Sequence, residues 1–253
     1  MRDAVAAIFV VACLWCERPA LAAGTPPASQ VDPYVARPRV VVLTDIANEP
    51  DDQMSLVRFL VYSNQLEVLG LVATTSTWMK DKLRPDVIQT VLDAYEQVQP
   101  NLLKHASGFP TAAALRSVVV SGQPGYGMAA VGRGKASSGA DLIVKAALAA
   151  DPRPLWVLAW GGANTLAQAL SDARATRTPK ELEAIVAKLR VYTISDQDDA
   201  GPSIRREFPA LHYIAMPSTQ DGQEYAAATW TGISGDRFLA RRRSRSTPKS
   251  APP

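Results

Sequence analysis

A chain of 253 residues with 47% hydrophobic content has the size and composition of one globular domain with tails, which excludes a largely disordered polypeptide. Its net charge of +3 comes from the far end: Arg237, Arg241, Arg242, Arg243, Arg245 and Lys249 follow residue 236 without an acid among them. Without those six of its 27 basic residues, 21 face 24 acidic ones, so the body is mildly acidic and no nucleic-acid partner is expected.

Arg2 precedes the apolar stretch AVAAIFVVACLW (4–15), and ERPALAAG then places small residues for cleavage after Ala22 or Ala23. Residues 1–23 are therefore expected to be an export signal, sending the mature protein to the periplasm or outside the cell. The stretch is too short to span a bilayer, so no stable membrane insertion is expected after its removal. A membrane anchor and a lipid-modified Cys13 are the alternatives. Cys13 and Cys16 leave with a cleaved signal, which removes disulfides and cysteine chemistry from the mature chain.

Residues 24–38 are Pro-rich and read as a linker. RVVVLTDI (39–46) is a continuous apolar run, the pattern of a strand buried on both faces. DDQMSLVRFLVYSN (51–64) has a helical period, with Met54, Leu56, Val57, Leu60 and Val61 on one side. EVLGLVATT (67–75) is the next strand, and PDVIQTVLDAYEQV (85–98) a helix with Pro85 in its first turn. The Gly-rich stretch 122–139 matches neither a P-loop nor a dinucleotide fingerprint and reads as a mobile flap. Then come a helix (140–150), a strand (155–160), two helices (164–173 and 181–189), a strand (190–195), the short helix SIRREF and a strand at 211–216. This alternation predicts an α/β domain over 39–236, with a mostly parallel twisted sheet, helices on both faces and a disordered basic tail at 237–253.

Ligands of such sheets bind at the carboxyl ends of the strands. Four strand exits here carry DIANEPDD, TSTWMKD, GGAN and SDQDD, a set of small, polar and acidic loops suited to a hard cation and a hydroxyl-rich ligand. In TDIANEPDD the helix dipole accounts for Asp51 and Asp52 but not for Asp45, which ends a buried strand. Asp45 and Asp52 can hold one divalent cation while Asp51 takes a proton from a bound water. Asp196, Asp198 and Asp199 either line the same cleft or cap SIRREF, and Asn164 and Thr165 also suit a helix N-cap. His105 and His212 fall in no motif.

TDIANEPDDQMSLVRFLVYSN followed by GLVATTSTW resembles the N-terminal signature of the inosine-uridine type nucleoside hydrolases, calcium enzymes that cleave ribonucleoside N-glycosidic bonds. The wording is closer still to the cellulose-binding proteins with a nucleoside hydrolase-like domain, whose members are often exported. The likeness runs over roughly 39–236 and implies a nucleoside hydrolase-like, Rossmann-like fold. It implies Asp45 and Asp52 as calcium ligands and Asp51 as general base, with Glu49 competing because the turn is two residues longer than in the hydrolases. It further implies that a backbone carbonyl at Asn164 joins the calcium shell, and that Thr77 and Trp78 of TTSTW lie where the sugar is contacted; Asp196, from its place after a strand, is taken as a further cleft residue. The hydrolases take another calcium-binding Asp from near their C-terminus. Nothing acidic follows Asp236 here, so the domain is expected to be C-terminally incomplete and to hold calcium weakly.

The resulting expectation is an exported calcium-dependent hydrolase of N-glycosidic or related glycosidic bonds, with a small-molecule nucleoside or carbohydrate as its partner. A non-catalytic carbohydrate-binding module on the same fold and a truncated inactive member are the alternatives. The sequence leaves room for an oligomer.

Overall fold

The computed structural model describes residues 37–216. The expected signal, nearly all of the linker and the basic tail lie outside the described residues.

The chain runs β1 (Arg39–Thr44), α1 (Pro50–Leu60), β2 (Glu67–Ala73), α2 (Pro85–His105), α3 (Ala112–Arg116), β3 (Val119–Ser121), α4 (Ser138–Leu148), β4 (Leu155–Ala159), α5 (Asn164–Thr176), α6 (Pro179–Lys188), β5 (Leu189–Thr193), α7 (Ala200–Glu207) and β6 (His212–Ile214). The strands form one sheet in the order β3-β2-β1-β4-β5-β6, and every pairing is parallel. The chain works outward from β1 to β3, then returns to lay β4 against the other side of β1. That reversal places the crevice between the exits of β1 and β4.

All of β1 is buried because its residues serve two cores alternately. Val41 and Leu43 face Ile143 of α4, Leu166 and Leu170 of α5, Ile185 of α6 and Ile204 of α7. Val42 faces Leu56 and Leu60 of α1, Ile88 and Leu92 of α2 and Leu115 of α3. Helices thus cover both sheet faces, as expected.

Three details differ from the sequence reading. The buried stripe of α1 is Asp52, Leu56 and Leu60, while Met54, Val57 and Val61 are exposed. An apolar count rotates the helix away from its true inner face because that face begins with an acid. Helix α2 continues to His105 through Pro100, its buried residues Ile88, Leu92 and Tyr95 holding one side. Elements α3 and β3 were not expected: three residues of β3 pair along Leu71–Ala73 of β2, too short a run to show a period.

The opposite edge of the sheet is an ion network. Arg39, buried at the start of β1, donates to the carbonyls of Ala146 (2.9 Å) and Arg153 (3.2 Å). Arg153 in turn binds Asp151 and Glu67, which holds the Asp151 carboxyl well below the usual range. The strand starts are therefore stapled by paired charges, and the crevice lies at the other end.

Candidate functional site

Asp45 follows the last residue of β1 and is 5% exposed; Asp52, at the head of the inner stripe of α1, is 6% exposed. The two carboxyl groups are hydrogen-bonded to each other. Burial raises the pKa of Asp45, partly offset by hydrogen bonds with Ser76 and Asp52, and the charge of Asp51 raises it further. Asp52 is pushed well above the ordinary value by burial first and then by the charge of Asp45. Thr44 Oγ1 donates to Asp52 Oδ2 and accepts from Ile46 N (3.1 Å), tying the strand end to the helix start. Between them, Ala47 sits at φ +80°, a left-handed conformation rare for a residue with a Cβ.

The exit of β4 closes on this pair. Trp160 N and Gly161 N both donate to Leu43 O (2.8 and 3.3 Å). A Cβ on Gly161 would lie 2.9 Å from Asp45 Cβ and 3.0 Å from Asp45 N, so only glycine lets this turn approach the carboxylate. Gly162 N donates to Thr75 O (2.9 Å), joining the β4 exit to the β2 exit.

Asp198 holds the same turn from behind. It is 3% exposed; its Oδ2 accepts from Asn164 N (3.0 Å) and its Oδ1 from Ala200 N (3.0 Å), with a further backbone bond from Ala163. One carboxylate thus serves the N-termini of both α5 and α7, where helix dipoles favour it. Burial nevertheless raises its pKa to about 6, with the backbone bonds pulling the other way.

The remaining predicted residues separate into groups. Asp51 and Glu49 are half-buried at the mouth of the pair, Glu49 as the N-cap residue of α1 without a side-chain capping bond. Asn164 is buried and opens α5; its side chain donates to Gly125 O (2.7 Å) and Thr75 Oγ1 (3.1 Å), and the carbonyl before it, Ala163 O, heads the helix ladder by accepting from Ala167 N (3.0 Å). Neither Asn164 nor Thr165 caps α5: the N-cap position is Ala163, and Thr165 Oγ1 instead accepts from Gln123 N (3.2 Å). Asp196 lies at the same edge but is engaged by Arg205 through two 2.8 Å bonds. It does not cap α7, and neither does the side chain of Asp199, which accepts from Met128 N (2.7 Å). Thr77 N donates to Gln197 O (2.7 Å), and Trp78 beside it is 50% exposed. His105 and His212 are both exposed, and His212 stands edge-on to Trp156 at 6.3 Å.

The expected flap is not loose in its first half. Gly122 N donates to Ala73 O (2.8 Å), Gly125 O accepts the two bonds from Asn164 and Thr75, and Gln123 Nε2 bonds Ala130 O (2.7 Å) and Lys135 O (2.8 Å). Sequence reasoning took the glycines for mobility, whereas Gly127 at φ +59° is there because a Cβ would meet Asp199 Oδ1 at 2.2 Å.

Asp45 and Asp52, with the hydroxyls of Thr44 and Ser76 against them, make an all-oxygen donor set. Such a set fits a hard divalent cation, which would remove the penalty burial places on the two charges. Among the described residues, no three His, Cys, Asp or Glu side chains gather at one point that could hold a metal ion, and Asp45 and Asp52 are the carboxylates that those residues bring together here.

The family described as cellulose-binding Sde182, nucleoside hydrolase-like domain, matches residues 39–251. The chain belongs to this family. A solved structure from Saccharophagus degradans, described as a nucleoside hydrolase-related hypothetical protein associated with carbohydrate metabolism, is 46% identical with a TM-score of 0.69. The match covers 73% of this chain and 44% of that one, so the chain spans less than half the length of this relative. No curated protein matches. In this nucleoside hydrolase-like domain, sequence reasoning missed Ser76 and Gly161. Both lie against Asp45, and their sequence signal is their place just after β2 and β4.

Proposed function

We propose that this nucleoside hydrolase-like domain hydrolyses an N-glycosidic or related glycosidic bond of a nucleoside or carbohydrate, with Asp51 as the general base beside a cation-binding pair, Asp45 and Asp52. The observation that carries it is the buried, mutually hydrogen-bonded pair at the β1/β4 crevice. When bound there, calcium supplies positive charge that lets both carboxylates ionise and that engages sugar hydroxyls. Asp51, in the first turn of α1 next to the pair, takes a proton from water as its oxygen attacks the anomeric carbon and the leaving group departs with the bonding electrons. Positive charge then builds on the sugar in an oxocarbenium-like transition state. Glu49 is the second candidate base. The leader-like stretch 4–15 supports action in the periplasm or outside the cell.

The second reading is a binding module that holds cellulose-like carbohydrate without turnover. It is favoured by the convergence of only two carboxylates among the described residues and by the family's description as cellulose-binding. Release of free sugar from a panel of nucleosides and aryl glycosides, in calcium and in chelator, separates the two. Calcium-dependent release establishes the hydrolase; binding of cello-oligosaccharides without release from any substrate establishes the module.

A further inference from the structure

Gly161 and Gly162, between β4 and α5, are pressed from opposite sides. A Cβ on Gly161 would run into Asp45, whereas a Cβ on Gly162 would lie 2.5 Å from Asp198 Oδ2 and 2.6 Å from Thr75 O. The turn is thus a wedge between two buried carboxyl groups, Asp45 in front and Asp198 behind. Where it sits against the first is fixed by the second.

The exit of β5 grips this wedge at both ends. Gln197 Nε2 donates to Trp160 O, and Asp198 Oδ2 accepts from Asn164 N (3.0 Å), with Ala163 N as a further donor to the carboxylate. The other oxygen, Oδ1, accepts from Ala200 N (3.0 Å). Capping alone does not explain the acid. A serine or asparagine satisfies a helix start without burying an anion, which costs free energy, and the N-cap position of α7 is Asp199 rather than Asp198. What a carboxylate adds is two acceptor oxygens on one rigid plane, which hold the starts of α5 and α7 at a fixed separation.

We propose that Asp198 is a positioning residue for the cation pair: it sets the Gly161–Gly162 turn against Asp45 and so holds the Asp45 carboxyl where Asp52 and a cation meet it. The inference rests on the proposed reading of Asp45 and Asp52 as a cation site only for what the positioning serves. Groups that orient a metal ligand from behind typically contribute about 10- to 100-fold to metal affinity.

The test is calorimetric titration of calcium into wild type, Asp198→Asn, Gly162→Ala and Asp172→Asn, with melting curves and backbone hydrogen exchange in EDTA. Asp198→Asn keeps the shape but offers one acceptor oxygen to two helix starts. It should weaken calcium about 10- to 100-fold and speed exchange of the amides at 45–48 and 161–164. Its EDTA melting midpoint should stay near that of wild type, because relief of a buried charge offsets a lost backbone bond. Gly162→Ala leaves the carboxylate in place and pushes the turn off it. It should move calcium affinity and the same amides in the same direction, and it decides the matter should Asp198→Asn fail to fold. Asp172→Asn removes another carboxyl near α5, one bonded to Gln168 (2.7 Å) and remote from the turn, and should leave calcium affinity within about twofold of wild type. Wild-type exchange at 45–48, or wild-type calcium affinity in the variants of a parent that binds calcium, overturns the proposal. So does exchange raised throughout the domain in proportion to the calcium loss, which would make Asp198 a stability residue alone. A wild type that binds no calcium removes the cation reading, and exchange at 45–48 in EDTA then decides the positioning by itself: faster in Asp198→Asn upholds it, unchanged overturns it.

Discussion

Asp51 and Asp52 are neighbours in sequence in different surroundings, the first half-buried at the crevice mouth and the second buried against Asp45. The difference separates their substitutions. Asp51→Asn keeps the shape but removes the basic oxygen, so sugar release should fall about 10² to 10⁴-fold while calcium still raises the melting midpoint. Asp52→Asn should abolish both release and the calcium shift. In chelator, however, it should melt no lower than wild type, because burial disfavours the charge it removes. Release assays and melting curves on the three proteins check both; an active wild type indifferent to Asp51→Asn moves the base to Glu49. Ala47 offers a test of strain at the same turn. Its φ of +80° costs about 1–2 kcal/mol for a residue with a Cβ, and glycine's extra unfolded-state freedom returns only part of that. Ala47→Gly should therefore gain about 0.5–1 kcal/mol in urea unfolding.

Among the elements, what the sequence made legible depended on periodicity. Continuous apolar runs marked β1, β2 and β4, and the exits of all three did carry the residues that meet at the crevice. The face of α1 was illegible because Asp52 occupies the i−4 place below Leu56 on the buried stripe, and a hydrophobic pattern cannot assign an acid to the core. The roles around α5 were illegible for another reason. Asn164 and Thr165 look like caps, yet the donors at this helix start are met by Asp198, 34 residues away in the chain, and no local pattern encodes that contact. The turn held between Asp198 and Asp45 can be tested at Gly161. An added methyl would lie 2.9 Å from Asp45 Cβ and 3.1 Å from its carboxyl carbon. Gly161→Ala should cost about 1–3 kcal/mol through overpacking and diminish the calcium shift, because relief requires the turn or Asp45 to move. Denaturant unfolding and calcium melting curves read the two effects separately, and a variant with both at wild-type values would show that the turn does not position Asp45.

Over the whole molecule, the two edges of the sheet respond to pH in opposite senses. At the strand starts and on the surface, Asp151, Asp86, Glu96 and Glu181 are held below their ordinary values, chiefly by Arg153, Arg84, Arg116 and Thr178. Their contribution is present above the unfolded carboxylate range and is lost as pH falls below about 4. At the strand exits, Asp45, Asp52 and Asp198 are raised by burial, Asp198 from 3.8 to about 6. The native state holds these protons more tightly than the unfolded chain, so their contribution is complete at acidic pH and declines as pH rises from about 4 through about 6. Without a divalent cation the melting midpoint should therefore peak near pH 4–5 and fall toward pH 7. Calcium needs the ionised pair, so its effect should be smallest at the acidic end and grow with pH, reaching about 2.7 kcal/mol where its concentration is a hundred times Kd. Melting scans from pH 4 to pH 8 in EDTA and in calcium chloride should give two curves that diverge as pH rises. An EDTA curve that climbs steadily to pH 7 would mean that the buried carboxylates do not govern stability. Parallel curves would mean that the pair at the crevice is not where calcium acts.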